Sequence, residues 1–396
     1  MQFSLASQLV HELRSSLSGY PRFVFSGDTH EAPHHVPVFV YHTVNPTEFE
    51  EDLKFLRENE YRTVGVDDLY AHLTGQVAPL DRAVVLTFDD GRSSFWRYAF
   101  PLLQKYEMRA VVFVIPGFTS DTDRRRPNLT DVWAGRCSLA DLSAIDPHDT
   151  SLCSWIELAT MHQTGLIDVE SHSLFHGEVF DDLQIKDFLL PDSSFAPFET
   201  SMTAYLEPRD AASRPSHESY YGLPIFSTTP LYAGVPGWKA TEDLIAKARS
   251  LYAEAGKSSN YNLIRAQLRR LWDDIDLTGM LYIQTQEQVQ EAIWLDLLTA
   301  RSLIKAKVSP ASGDHFCLPY TVGSELSTNL MREHGIKSCF WGISLNRKYN
   351  NPGNDPLKIV RVKSDFLYRL PGCGQRSLAE VYLKKVARRL RGDRVY

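Results

Sequence analysis

The chain has 396 residues, with 42 Lys and Arg against 49 Asp and Glu and a formal net charge of −7. That balance provides no global basic field for nucleic acid, and no stretch approaches the ~20 apolar residues of a membrane span. Apolar residues make up 43% and charged residues 23%, as in a globular protein with room for one large domain and a sizeable insertion.

Phe3, Leu5, Leu9, Val10 and Leu13 are spaced as a short helix, so residues 1–35 read as an N-terminal extension. A strand is expected over 36–40, ending at Tyr41-His42. A helix follows over 49–60 with Thr47 as its N-cap, then an extended segment over 61–66 and a helix over 67–74. Residues 83–88 read as a buried strand, 96–107 as a helix, 109–115 as a second buried strand and 165–170 as another short one. Such repetition favours an α/β fold on a parallel sheet.

The rhythm breaks over 178–283. A polar, proline-bearing stretch leads to Tyr220, Tyr221, Phe226, Tyr232 and Trp238, then to helical segments over 241–255 and 261–272. This mainly helical insertion has the length of a lid. Its aromatics either stack on a ligand or form the core of a subdomain. The domain would run over 36–375 around it, and a basic helix over 376–396 would end the chain. Leu378, Val381, Tyr382, Val386 and Leu390 give that helix an apolar side, and Lys384, Lys385, Arg388, Arg389, Arg391 and Arg394 a basic one. It either lies on an anionic membrane surface or packs on the domain.

Two motifs carry chemistry. Thr87-Phe88-Asp89-Asp90-Gly91 puts adjacent carboxylates at the end of a buried strand. Neighbours on a strand face opposite ways, so one can hold a cation while the other moves a proton. A plain turn out of the strand is the other reading. His172-Ser173-Leu174-Phe175-His176 spaces two imidazoles four residues apart, on one side of a helical turn. With a distant Asp they make a His-His-Asp set that leaves positions open, the layout of a catalytic metal site.

Together the two motifs resemble those of the polysaccharide deacetylase family, metal-dependent hydrolases that remove N- or O-acetyl groups from sugar polymers. Val38 to His42 and the block after it resemble the subgroup acting on poly-N-acetylglucosamine. Cys317-Leu318-Pro319-Tyr320 resembles the third motif. The resemblance implies a distorted, incomplete (β/α) barrel of seven strands, with the motifs at the C-terminal strand ends. It implies a divalent metal on Asp90, His172 and His176: zinc first, with cobalt, nickel or iron also suited to such donors. Asp89 would be the general base, the backbone N–H of Tyr320 an oxyanion donor, and Ser173 and Pro319 would shape the surroundings.

The chain departs from the pattern twice. Cys317 stands where the family has an Arg that pairs with the base, leaving Arg361 as a substitute or as a surface residue. The late His that serves as general acid is absent, since no His follows His334. His42 is the first candidate in its place and His315 the reserve. Five widely spaced cysteines and an N-terminus without a basic n-region suggest free thiols in the cytoplasm, or at the inner face of the membrane. The expected partner is an N-acetylated amino-sugar glycan or its nucleotide- or lipid-linked precursor, not nucleic acid. An O-acetyl esterase, a de-N-formylase or a catalytically degenerate carbohydrate-binding protein are the alternatives.

Overall fold

A computed structural model of the chain describes residues 19–28, 34–193, 198, 201–207, 217–256, 258–343 and 347–390. The helix expected between Phe3 and Leu13 lies outside them. Seven parallel strands form the core: β1 (Val38–Tyr41), β2 (Ala83–Phe88), β3 (Ala110–Val114), β4 (Ile167–Ser171), β5 (His315–Cys317), β6 (Ser338–Phe340) and β7 (Val362–Lys363). Their order in space is β6-β5-β4-β3-β2-β1-β7. A two-residue strand, Arg62–Thr63, pairs with the start of β2. One parallel bridge, Phe340 to Ile359, draws the two ends of the sheet together. The result is a curled, incomplete (β/α) barrel.

Both faces of these strands are covered, which is why β2 opens on the apolar run Ala83–Leu86 and is buried at every residue. Val38, Val85, Val111, Phe113, Cys317, Phe340 and Ile359 share the inner core. Phe39, Leu86, Val112 and Val169 face outward into a larger core shared with Leu53 and Leu56 of the helix Pro46–Glu58. That helix starts earlier than its pattern suggests. Asn45, not Thr47, is the N-cap: its side chain accepts from the N–H groups of Thr47 and Glu48, with Pro46 in the first turn.

The segment between β4 and β5 does not follow the barrel rhythm. Alongside the expected helices, Glu242–Glu254 and Tyr261–Asp273, it builds a four-stranded antiparallel sheet. The strands run in the order Leu281–Ile283, Trp238–Ala240, Glu178–Phe180 and Thr228–Pro230. Tyr220 and Phe226 are buried in the core of this subdomain, and Tyr232 in the core beside β5. Those three rings are therefore packing, not a stacking platform for a ligand.

Among the described residues no helix is long and apolar enough to cross a membrane. The helix Leu378–Leu390 turns much of its charge onto the domain. Lys385 and Arg388 both pair with Asp365, Arg388 also reaches Glu48, and Lys384 reaches Glu48 and Glu51. Packing on the domain, one of the two readings of this helix, thus accounts for these three cations, which acidic side chains of the protein neutralise. Asp365 is 1% exposed in its side chain and stands between two largely buried cations. Asp365→Ala should cost about 3 kcal/mol, because it removes the buried carboxylate that both cations share. Urea unfolding of parent and variant measures this, and equal midpoints would refute it.

Candidate active site

The site forms at the C-terminal ends of the strands, where the backbone leaves its regular geometry. Nine non-glycine residues among those described have positive φ, and five of them are Asp90, Ser173, His176, Tyr320 and Thr321. Backbone strain of ~1–3 kcal/mol per residue persists only where the surroundings over-determine it. Its concentration here marks the strand ends as a functional surface.

Asp89 and Asp90 follow β2 and are 3% and 4% exposed. Two adjacent buried carboxylates require two compensating cations. Arg361 grips Asp89 with both terminal nitrogens, Nη1 to Oδ1 at 2.6 Å and Nη2 to Oδ2 at 2.8 Å. Arg92 binds Asp90 Oδ2 through Nε and Nη2, each at 2.9 Å. Burial pushes both carboxyls up, but the guanidinium and the neighbouring imidazoles together outweigh it, and both are held below the ordinary carboxylate range. Arg361 is 2% exposed, so it is not a surface residue. It reaches Asp89 because the sheet is sheared. Ile359 is level with the last residue of β6, which places Arg361 beyond the end of that strand.

The Cys317 side chain, at the end of β5, points into the same space. Its Sγ lies 3.7 Å from each Asp89 oxygen, and burial holds the thiol well above its ordinary pKa. It is a protonated neighbour of the carboxylate, not an activated nucleophile.

His172 and His176 do not occupy a helical turn. They flank a tight loop after β4, in which Ser173 (φ 67°) and His176 (φ 57°) are left-handed. Ser173 Oγ accepts from the His176 N–H at 2.8 Å, closing the loop. His172 Nδ1 pairs with the Cys317 carbonyl at 2.9 Å, leaving Nε2 to face Asp90 Oδ1 at 3.6 Å. Burial pushes the His176 imidazole down to about 3, so it is neutral at physiological pH. Its Nδ1 is buried without a hydrogen-bond partner. The ligand atoms of Asp90, His172 and His176 lie within 4.8 Å of one another. A neutral imidazole with an orphaned nitrogen, a second fixed by a carbonyl and one free carboxylate oxygen form a donor set that fits a divalent cation. Asp89, His172 and Cys317 also converge, but Arg361 engages Asp89 and the thiol keeps its proton.

His42 Nε2 lies 3.9 Å from Asp89 Oδ2, with a quarter of its side chain exposed. Burial lowers its pKa despite the two nearby carboxylates. Pro319 is buried in the turn after β5, where Tyr320 is 41% exposed and lays its ring over His176 at 4.3 Å. His315 does not join the group. It begins β5 while Cys317 ends it, and its ring pairs with Ser338 and Asp67.

Three contributors escaped the sequence reading. Arg92 lies two residues beyond Asp90 and was legible as a charge beside the motif. Asp296 interrupts the apolar stripe Val289, Ile293, Leu297, Ala300 and Ile304 of the helix Gln286–Lys307. A carboxylate in such a stripe is a signal of a buried polar role. Glu178, held above its ordinary value by burial, accepts hydrogen bonds from Tyr320, Thr203 and Thr228, a pairing only the tertiary structure makes.

Residues 76–192 match the family model described as polysaccharide deacetylase. Over 93 residues the chain is 33% identical to the polysaccharide deacetylase homologue YxkH of Bacillus subtilis, covering 22% of this chain and 33% of that one. Over 70 residues it is 41% identical to the poly-beta-1,6-N-acetyl-D-glucosamine N-deacetylase of Escherichia coli, covering 17% of this chain and 10% of that one. The matched segments thus span a third or less of these relatives. Among solved structures, IcaB of Ammonifex degensii aligns over 85% of this chain and 94% of its own, at 19% identity and a TM-score of 0.46. The BpsB deacetylase domain of Bordetella bronchiseptica aligns over 83% and 95%, at 15% identity and a TM-score of 0.49. The segment matched by the polysaccharide deacetylase model, 76–192, contains both the Asp89-Asp90 and the His172–His176 motifs.

Proposed function

We propose that the protein is a metal-dependent N-deacetylase acting on an N-acetylated amino-sugar glycan or its precursor. The observation that carries this reading is the convergence of Asp90, His172 and His176 beside Asp89, whose charge Arg361 sustains. A divalent cation held by the three ligands would polarise the acyl carbonyl and acidify water. Asp89 takes the proton of the attacking water. Arg361 uses one direction on each Asp89 oxygen, and a carboxylate has further lone pairs for that proton. His42, neutral because of its burial, receives the proton from Asp89 and delivers it to the leaving nitrogen. The Tyr320 N–H is the oxyanion donor, on a turn whose left-handed backbone redirects its peptide groups. Water and amide become acetate and free amine. In this reading Arg361 stands in for the arginine replaced by Cys317, and His42 for the missing late histidine, so the two departures do not favour a binding protein without activity.

Elemental analysis tests the metal centre. The parent should carry near-stoichiometric zinc, cobalt, nickel or iron, and His176→Ala should lose it. A parent that stays empty when supplied with these ions would reject the reading. Acyl release from N-acetyl, O-acetyl and N-formyl forms of one sugar then separates the deacetylase from other deacylases.

Asp89→Asn and His42→Gln should each retain metal while lowering turnover, by roughly 100-fold or more for the base. Metal loss parallel to the loss of turnover would reject both roles. Arg361→Met gives a pH test. The base works when ionised, and the parent's Asp89 stays ionised into acid because its pKa is depressed. Without the guanidinium, burial dominates and the pKa rises. The acid limb of kcat/KM should then move to higher pH by on the order of 1 unit or more. An unmoved limb would show that Arg361 does not control the base.

A further inference from the structure

The loop bearing His172 and His176 is held by a residue outside every motif. We propose that Asp296, set by Tyr232 of the insertion, is a positioning residue for this loop, so that the insertion supports the candidate metal centre as well as bordering it. The proposal rests on the metal-site reading above.

The loop needs external support because its own conformation is unfavourable. Ser173 and His176 are both left-handed without being glycine. Leu174 lies between them, and its peptide groups are pinned on both sides. Its N–H donates to the two Asp296 oxygens, each at 3.1 Å, and its carbonyl accepts from the Gly117 N–H at 2.8 Å. Asp296 is 4% exposed. A carboxylate there is tolerable only with its acceptors satisfied. The remaining donor is the Tyr232 hydroxyl, at 2.5 Å from Oδ1.

Tyr232 comes from the turn Leu231–Ala233 in the insertion and is fully buried, with its ring 4.9 Å from that of Phe316 on β5. A continuous path therefore runs from the insertion through the Tyr232 hydroxyl and Asp296 to the peptide between the two imidazoles. Glu178, the first residue of the insertion's sheet, makes a second link by accepting from Tyr320, whose ring covers His176. A detachable lid would leave the metal ligands undisturbed when removed. This insertion would take the Tyr232 hydroxyl with it and leave Asp296 short of a donor.

The test is the zinc dissociation constant of the full chain, measured by competition with a chelating dye. Parent, Asp296→Ala, Asp296→Asn and Tyr232→Phe are compared at a temperature where each is folded. Leu56→Ala, in the core away from the loop, is a variant destabilised for an unrelated reason. Asp296→Ala should weaken zinc binding by about tenfold or more, the scale of an outer-shell partner. Asp296→Asn, which keeps one acceptor oxygen, and Tyr232→Phe should fall between it and the parent. Leu56→Ala should lower the melting temperature and leave the dissociation constant unchanged. If Asp296→Ala does not fold, the Asn and Phe variants decide. Zinc binding in the Asp296 and Tyr232 variants equal to the parent's would overturn this proposal alone. A parent that takes no zinc would overturn the metal-site reading and this proposal with it.

Discussion

Two neighbouring carboxylates buried at the end of one strand are the constraint around which the rest is arranged. Neither Asp89 nor Asp90 can be ionised in that position without a cation, and the fold brings each its own. Arg361 takes both oxygens of Asp89, while Arg92 takes only Oδ2 of Asp90. The difference suits two tasks. Asp90 keeps an oxygen turned toward His172, and Asp89 keeps its charge while sitting within 4 Å of His42. The inner core beneath them, from Val85 to Phe340, excludes water from below and makes both pairs strong.

The shear of the barrel surrounds Asp89 with charge although position 317, beside it, is a cysteine. A cysteine at position 317 leaves room in the inner core for a larger side chain from elsewhere. The strand pairing offers Arg361, because β7 is displaced along its axis relative to β6. The guanidinium then occupies the space beside a small, neutral thiol. The charge that position 317 does not supply comes from across the sheet.

The left-handed residues around the site have the same logic. A loop with Ser173 and His176 in that conformation does not hold itself, and the neighbouring elements close on it from three sides: β3 through the turn at Gly117, β5 through the Cys317 carbonyl, and the long helix through Asp296. Gly117 has no alternative there, since a Cβ would stand 2.1 Å from the Phe175 ring and 2.6 Å from the Leu174 carbonyl. Packing of whole elements thus sets the geometry of a few imidazole and carboxylate atoms.

By itself, the sequence determined the strands whose two faces are both buried, because continuous apolar runs such as 83–86 and 110–114 have few other uses. Their alternation with helices pointed to a parallel sheet, closed or open, and the barrel came only through the resemblance of the two motifs, whose residue types are costly to bury without a purpose. A helix over 49–60 was legible from its pattern, but its start at Pro46 and its true cap were not, because Asn45 competes with Thr47 only through geometry. Spacing of four residues suggested a helical turn for His172 and His176. The structure made a strained loop instead, since the hydrogen bonds at Leu174 come from residues 57 and 122 positions away in the chain. The tertiary structure alone decided that Arg361 is buried against Asp89, that His315 lies at the far end of its strand, and that the basic helix meets Asp365 and Glu48. Each of these depends on the shear of the sheet or on the packing of distant segments, and local pattern carries no record of either.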